Sequence, residues 1–279
     1  MYHFDYVSKK EAQPFRTKLI HIIHEVQNEV REQFTFQFSF IGSSRRNMIT
    51  VDSKTNKGFD FDVNIEVNDD EEEYTPKKLR NILRAAFDRV ASSHGYSYCE
   101  DSTRVLTLRS KDSNYSCDFA IVHYSNNQQQ YIRYNKKAGS YSWEFQKQSY
   151  KDLEKRADIL KRHGYWDEVR DIYLDKKNNN SNPDKRSRSL YAETINECYR
   201  RYTVQRANGC DKEVLKMGKP FFDYDDGDFV FSLSDHMAMD SDGTILMRMS
   251  DHLAMDLDSG DVHFTSSWPN DNELNDSFL

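Results

Sequence analysis

Two aspartates one residue apart are the first residues of this sequence whose types and spacing could do chemistry. Asp60 and Asp62 alternate with apolar residues in the run FDFDVNIEV, which starts at Phe59. Successive side chains of a β-strand point to opposite faces, so both carboxylates should project from the same face. Mg²⁺ prefers oxygen ligands of this kind. The pattern therefore indicates either a metal site or the solvated face of an amphipathic strand.

The predicted strand before this pair ends in a segment suited to an anionic ligand. Phenylalanines alternate with polar residues from Phe34 to Phe40, and the segment GSSRR follows from Gly42 to Arg46. A glycine permits a tight turn, and free backbone N–H groups beside hydroxyls recurrently hold anionic oxygens. The segment is a candidate phosphate-binding turn next to the candidate metal ligands.

A third carboxylate lies on a later predicted strand. Asp118 occurs among Cys117, Phe119 and further apolar residues in the run SNYSCDFAIVHY, which starts at Ser113. A carboxylate in an apolar strand is costly to bury unless it is paired or bound to a metal. Asp118 is therefore a candidate to join the aspartate pair.

A Gly-Ser turn, an Asp-x-Asp strand and one Asp on a later strand together resemble the DNA polymerase β-type nucleotidyltransferase superfamily, over roughly residues 15 to 135. The resemblance implies that Asp60, Asp62 and Asp118 are catalytic and bind two Mg²⁺ or Mn²⁺ ions, with Asp118 helping to activate the acceptor. It also implies that Gly42 and Ser43 contact the triphosphate. The neighbouring Ser44 and Arg45, and the later Lys136, are further candidate nucleotide-binding residues. Lys136 has a second interpretation, as a solvated residue at a domain junction.

The resemblance implies an enzyme that moves a nucleoside monophosphate from an NTP to a hydroxyl and releases pyrophosphate. The acceptor could be a nucleotide, as in cyclic-oligonucleotide synthases, or RNA, a small molecule such as an antibiotic, or a protein side chain. One alternative is a catalytically silent protein of the same fold that senses nucleotides. Another is an interaction protein whose aspartates are surface residues. Carboxylates at all three positions favour the enzyme.

The predicted elements that would position these residues give an α+β fold. Residues 14 to 33 should form a helix with Pro14 near its first turn, and a second helix should run from Thr75-Pro76 to near Gly95. With the strands they flank, they predict a small mixed β-sheet core with helices on one face. Further helices are expected at 149–164, 166–174 and 188–205.

These patterns predict three regions: a nucleotidyltransferase core at 1–135, a helical domain at 136–210 and an acidic β-meander at 211–279. Residues 211–279 contain 4 Lys/Arg and 16 Asp/Glu, so their net charge is −12. The whole chain has a net charge of −7, so residues 1–210 carry +5. Within them, residues 234–242 recur as residues 250–258, and alternation between turns predicts a three-stranded meander. Its methionine-rich face is a candidate surface for packing or self-association.

The cysteine and hydropathy patterns bear on the cellular location of the protein and on whether it contains zinc sites or disulfides. The four cysteines show no C-x-x-C spacing, which indicates neither a zinc site nor a disulfide framework. No apolar run approaches membrane-spanning length, and no signal-peptide pattern opens the chain. We expect a cytoplasmic protein without a membrane partner.

Overall fold

A computed structural model describes residues 2–52, 54, 58–68, 73–111, 114–126, 128–182, 185–207, 220–225, 228–240, 244–257 and 260–268. The chain divides into two compact units, Met1–Asp152 and Leu153–Leu279. The fold is α+β, as the sequence predicts, with a mixed sheet in the first unit and an antiparallel meander in the second. The three-region division at residues 135 and 210 stays a prediction.

The described residues of the first unit form nine strands and three α-helices. In chain order they are β1 Phe4–Tyr6, α1 Lys9–Val30, β2 Thr35–Ile41, α2 Gly42–Arg45, β3 Thr50–Asp52, β4 Asp60–Asn68, α3 Pro76–Ala91, β5 Glu100–Asp101, β6 Val105–Arg109, β7 Ser116–Ser125, β8 Gln128–Asn135 and β9 Ser140–Phe145. A fourth helix, α4 Gln148–Arg162, starts in this unit and continues into the second.

Helix α1 begins earlier than its hydrophobic pattern predicts. Ser8 caps it: its hydroxyl accepts from the Glu11 N–H (3.2 Å), and the Glu11 carboxylate accepts from the Ser8 N–H (2.9 Å). This capping box fixes the start at Lys9, so Pro14 lies inside the helix rather than near its first turn. The predicted apolar face is confirmed, because its residues are buried: Leu19, Ile22, Ile23, Val26 and Val30.

The main sheet has the strand order β2-β4-β7-β6-β5, and β8 and β9 continue from β7. Strands β4 and β7 are parallel, whereas β2 pairs with β4, and β6 with β7, in antiparallel fashion. A parallel pair requires a crossover, and α3 starts it with Thr75 as its N-cap, as predicted. Phe61, Val63 and Ile65 of β4 lie fully buried in the core beneath the sheet.

The hairpin of β8 and β9 was not predicted. The polar residues around Lys136 suggest a domain junction, but the segments on either side of it are strands that pair from Gln130↔Phe145 to Asn135↔Ser140. Only Ile132 of β8 is fully buried. A strand with one core residue and polar neighbours carries too little alternation for a pattern search to detect.

The second unit contains helices α5 Trp166–Asn178 and α6 Ser187–Ala207, close to their predicted bounds. Lys176 and Glu197 form an ion pair between them at 2.7 Å. Gly164, with φ +70°, follows the end of α4 in the left-handed conformation that favours glycine. Among the residues with described positions, no helix combines the length and apolarity needed to cross a membrane.

The meander has six strands in its described residues, not three. They are β10 Pro220–Asp223, β11 Asp228–Ser232, β12 Met237–Asp240, β13 Ile245–Ser250, β14 Leu253–Asp256 and β15 Val262–Phe264. They pair in sequence order. A bridge between Asp223 and Thr265, with the Tyr224 N–H donating to the Phe264 carbonyl (2.8 Å), joins the first strand to the residues at the end of the last. The sheet therefore closes on itself.

The buried face of the meander is not the methionine face. Ala238, Leu246 and Ala254 are buried, whereas Met249 is 54% exposed and Phe264 is 62% exposed. Three aspartates are also buried in the meander. They are Asp223, Asp240 and Asp256. Asp223 Oδ2 contacts His263 Nδ1 (2.7 Å), and Asp240 Oδ1 accepts a hydrogen bond from the Thr244 N–H (2.8 Å).

Candidate active site

The pairing of β4 with β7 brings the three aspartates to one face of the sheet. Asp62 is the register partner of Asp118, and Asp60 is the register partner of Ser116. The alternating residues Phe61, Val63, Cys117 and Phe119 are buried on the opposite face. Strands from distant parts of the chain therefore place the predicted carboxylates as neighbours. Their roles as catalytic residues and metal ligands stay predictions.

Two hydroxyls from neighbouring positions hold the outer carboxylates. Thr107 of β6 is the register partner of Asp118, and its Oγ1 donates to Asp118 Oδ1 (2.5 Å). Ser116 Oγ donates to Asp60 Oδ1. Sequence reasoning missed both hydroxyls. A threonine and a serine carry no motif of their own, and only the pairing register shows that they lie beside the aspartates.

Burial and mutual repulsion make it unfavourable for all three aspartates on this face to be ionised at once. Burial, followed by the charges of Asp118 and Asp60, raises the pKa of Asp62 to about 6, and Arg46 opposes that rise. Burial also raises the pKa of Asp118, while the hydrogen bond from Thr107 lowers it. A bound cation would remove the repulsion that contributes to both shifts.

Two arginines provide positive charge near these carboxylates. Arg46 acts on Asp62, and its Nη2 donates to the Tyr150 hydroxyl (3.3 Å). Arg109 of β6 acts on Asp118, and its Nε donates to Glu100 Oε1 (2.9 Å). Because Arg109 is engaged by Glu100, it offsets only part of the negative charge on the face.

The Gly42 turn lies directly against Asp62. Ile41 is the register partner of Asp62, and a Cβ atom at Gly42 would come within 2.1 Å of Asp62 Oδ2. Gly42 also has φ +71°, in the region that favours glycine. Both observations require glycine here. They bring the predicted phosphate-binding turn into contact with a predicted metal ligand.

The other predicted nucleotide-binding residues differ in how they are placed. The Ser44 hydroxyl donates to the Ile41 carbonyl (3.1 Å), so within this turn Ser43 presents the hydroxyl better suited to a ligand. Arg45 is exposed and close enough to Tyr124 to oppose the rise in pKa that burial and Glu66 cause there. Lys136 lies in the exposed turn between β8 and β9. The structure brings Gly42 against Asp62, whereas within the described part of the chain no hydrogen bond or ion pair joins Lys136 to the carboxylates.

The donor chemistry of the face fits a hard divalent cation. Carboxylate oxygens from two parallel strands, with raised pKa values caused partly by mutual repulsion, are the ligands that Mg²⁺ or Mn²⁺ takes. As the side chains stand, no three His, Cys, Asp or Glu residues in the described part of the chain converge on one ion position. The hydrogen bonds of Asp60 and Asp118 to Ser116 and Thr107 hold one oxygen of each toward a neighbouring strand.

Comparison with known proteins returns solved structures only. No protein-family profile matches the chain, and no curated protein matches it. A STING-associated CdnE c-di-GMP synthase from Capnocytophaga granulosa matches with 16% identity and a TM-score of 0.47, over 73% of this chain and 66% of that one. DncV from Vibrio cholerae in its 3'-deoxy ATP bound form has 16% identity and a TM-score of 0.46, over 65% and 50%.

Escherichia coli DncV in its 3'-deoxy GTP bound form is similar at 16% identity, with a TM-score of 0.46 and coverage of 66% of this chain and 52% of that one. The chain thus spans about two thirds of the length of the first of these proteins and about half of the others. The first of these proteins is named a c-di-GMP synthase, and the Vibrio cholerae protein is named a cyclic AMP-GMP synthase. Likenesses at this level carry no argument about activity.

Proposed function

We propose that this protein is a Mg²⁺-dependent or Mn²⁺-dependent nucleotidyltransferase that transfers a nucleoside monophosphate from an NTP to a hydroxyl. One observation carries the proposal. Asp62 and Asp118 are register partners on one sheet face, with Asp60 beside them and the Gly42 turn in contact with Asp62. An ordinary solvated strand face has no need for a glycine turn packed against its most perturbed carboxylate.

The proposed reaction exchanges one phosphorus–oxygen bond for another. The acceptor hydroxyl oxygen forms a bond to the α-phosphorus, the bond from that phosphorus to the bridging oxygen breaks, and pyrophosphate leaves. Asp118 helps to align or to deprotonate the acceptor hydroxyl, whose proton passes to Asp118 or to water. Divalent ions bound by Asp60, Asp62 and Asp118 would supply charge stabilisation for the attacking and leaving oxygens.

The nucleotide would bind at the Gly42 turn. Ser43 donates its hydroxyl to a phosphate oxygen, and the N–H groups of the turn and Ser44 lie beside it. Arg45 and Lys136 add positive charge at the outer edge of the nucleotide. The proximity of Gly42 to Asp62 supports this arrangement, because phosphate oxygens bound at the turn would lie next to cations bound by Asp62.

The acceptor is a nucleotide, RNA, a small molecule or a protein hydroxyl, and the protein acts in the cytoplasm.

The acidic meander is proposed as a surface for self-association. Its outward apolar side chains support this proposal, since methionines adapt to irregular partner surfaces and exposed apolar patches commonly mark interfaces: Met237, Met247, Met249, Val262 and Phe264 are all at least one third exposed.

A labelling experiment tests the proposed function. The full chain is incubated with each α-labelled NTP and Mg²⁺ or Mn²⁺, with and without total cell RNA, and the products are separated by size. Label should move from the NTP to a product while pyrophosphate is released, and Asp60→Asn should abolish the transfer. Asp5→Asn, an exposed aspartate of β1, is the matched control and should transfer normally.

Each result has a definite reading. Transfer that survives Asp60→Asn would show that the activity belongs to another site. Nucleotide binding without transfer, under every metal and acceptor condition, would favour a catalytically silent nucleotide sensor. Binding of neither nucleotide nor metal would leave the aspartates as surface residues of an interaction protein.

A further inference from the structure

Two buried hydroxyls on the carboxylate face are each tied to one of the predicted metal ligands. Thr107 Oγ1 donates to Asp118 Oδ1 (2.5 Å), and Ser116 Oγ donates to Asp60 Oδ1. Thr107 is 6% exposed and Ser116 is 5% exposed. Neither hydroxyl therefore has bulk water as an alternative partner, and a buried hydroxyl without a partner would be costly.

The geometry of both contacts follows from strand register. Thr107 pairs with Asp118 across β6 and β7, and Ser116 pairs with Asp60 across β7 and β4. Side chains directly opposite each other on one sheet face are close enough to interact. In both pairs the hydroxyl engages Oδ1. Oδ2 of each carboxylate is then the oxygen that can turn to a ligand.

We propose that Thr107 and Ser116 are positioning residues, which fix the carboxylates of Asp118 and Asp60 so that each presents its second oxygen to the divalent cation. The inference rests on the proposed function. Before a cation binds, three neighbouring carboxylates repel one another and would otherwise rotate apart. A hydroxyl donor to each outer carboxylate offsets that repulsion and limits the rotamers.

Thr107 gives the cleaner test of the pair. Thr107→Val removes the hydroxyl and keeps the branched shape, whereas Thr107→Ser keeps the hydroxyl. Thr194→Val is the matched control, because Thr194 is a buried threonine of α6 whose hydroxyl donates to the Leu190 carbonyl (2.9 Å). It loses an equivalent buried hydroxyl from an element that supplies no carboxylate to the site.

The first measurement is Mn²⁺ affinity without nucleotide, from the electron paramagnetic resonance signal of free Mn²⁺. Removing a group that hydrogen-bonds to a metal ligand typically costs about 10–100-fold in metal affinity or activity, so Thr107→Val should bind Mn²⁺ about tenfold more weakly. Thr107→Ser and Thr194→Val should bind as the wild type does. The second measurement is transfer kinetics, in which Thr107→Val should raise the Mg²⁺ requirement and lower kcat with little change in the KM for NTP.

The outcomes separate this inference from the proposed function. Equal Mn²⁺ affinity in the wild type and Thr107→Val, or a Thr107→Ser protein as defective as Thr107→Val, overturns the positioning role. A wild type that binds Mn²⁺ but transfers no label overturns the proposed function alone. A wild type that binds no Mn²⁺ overturns both. If Thr107→Val does not fold, Ser116→Ala takes its place, and the same loss of Mn²⁺ affinity is expected.

Discussion

Replacing Asp62 with asparagine should stabilise the metal-free protein and abolish transfer. Asp62 is half-buried, with Asp118 and Asp60 as negative neighbours, and its pKa is raised from 3.8 to about 6. A shift of one pKa unit corresponds to about 1.4 kcal/mol, so the ionised Asp62 costs the folded state about 3 kcal/mol at neutral pH. Asparagine keeps the shape of the side chain and removes this cost.

The stability gained from Asp62→Asn should increase as the pH rises. The folded protein holds the Asp62 proton more tightly than the unfolded chain does, so the cost is fully present above the folded pKa of about 6. It fades as the pH falls from about 6 toward 3.8, where the unfolded chain also takes up its proton. The gain in unfolding free energy from Asp62→Asn should be about 3 kcal/mol near pH 8 and about half of that near pH 5.

Urea unfolding in EDTA at both pH values measures the gain, with Asp5→Asn as the exposed control. Surface substitutions usually change stability by about 0.5 kcal/mol or less, so the control should stay within that range. A loss of stability in Asp62→Asn would mean that Asp62 is a partner in a stabilising ion pair, which refutes the reasoning. An equal gain at both pH values would show that its raised pKa is not the cause.

Three further predictions concern the turn and the meander. Gly42→Ala should lower both the melting temperature and the rate of transfer. The alanine Cβ would overlap Asp62 Oδ2, and the φ of +71° at this position is strained for alanine. A variant as stable and as active as the wild type would contradict this prediction. Ser43→Ala should weaken NTP binding by about one to two decades in a fluorescence titration, since a hydrogen bond to a charged group contributes about 1.5–3 kcal/mol, and Ser44→Ala should matter less. A chain shortened to end at Lys219 should change in oligomeric state or solubility, measured by light scattering, and unchanged mass and melting temperature would show that the meander is a free appendage.

The parts of the fold that sequence predicted are those with strong local signals. The alternation around Asp60 and Asp62 marked β4, and Thr75-Pro76 marked the start of α3. Both are decided by neighbours in the chain. Alternation also implied correctly that Asp60 and Asp62 share a face, because the two-residue period of a strand leaves no other arrangement.

The parts that sequence could not supply depend on contacts between distant segments. The hydroxyls of Thr107 and Ser116 became visible only through the register of three strands. The burial of aspartates in the meander was not predicted either. Asp240 is buried because the Thr244 N–H satisfies it, and Asp223 is buried beside His263. A local pattern does not include such partners.

The parallel pairing of β4 with β7 also determines when the carboxylate face can exist. Asp60 and Ser116 are 56 residues apart in the chain, and the crossover between them must be complete before they meet. Long-range pairings of this kind form slowly, because loop closure costs entropy before the contacts can stabilise the chain. During folding or synthesis, Asp118 therefore begins to repel Asp60 and Asp62 only when β7 pairs with β4. Mn²⁺ uptake during refolding should follow that docking rather than the initial collapse, so the cation would report completion of the crossover.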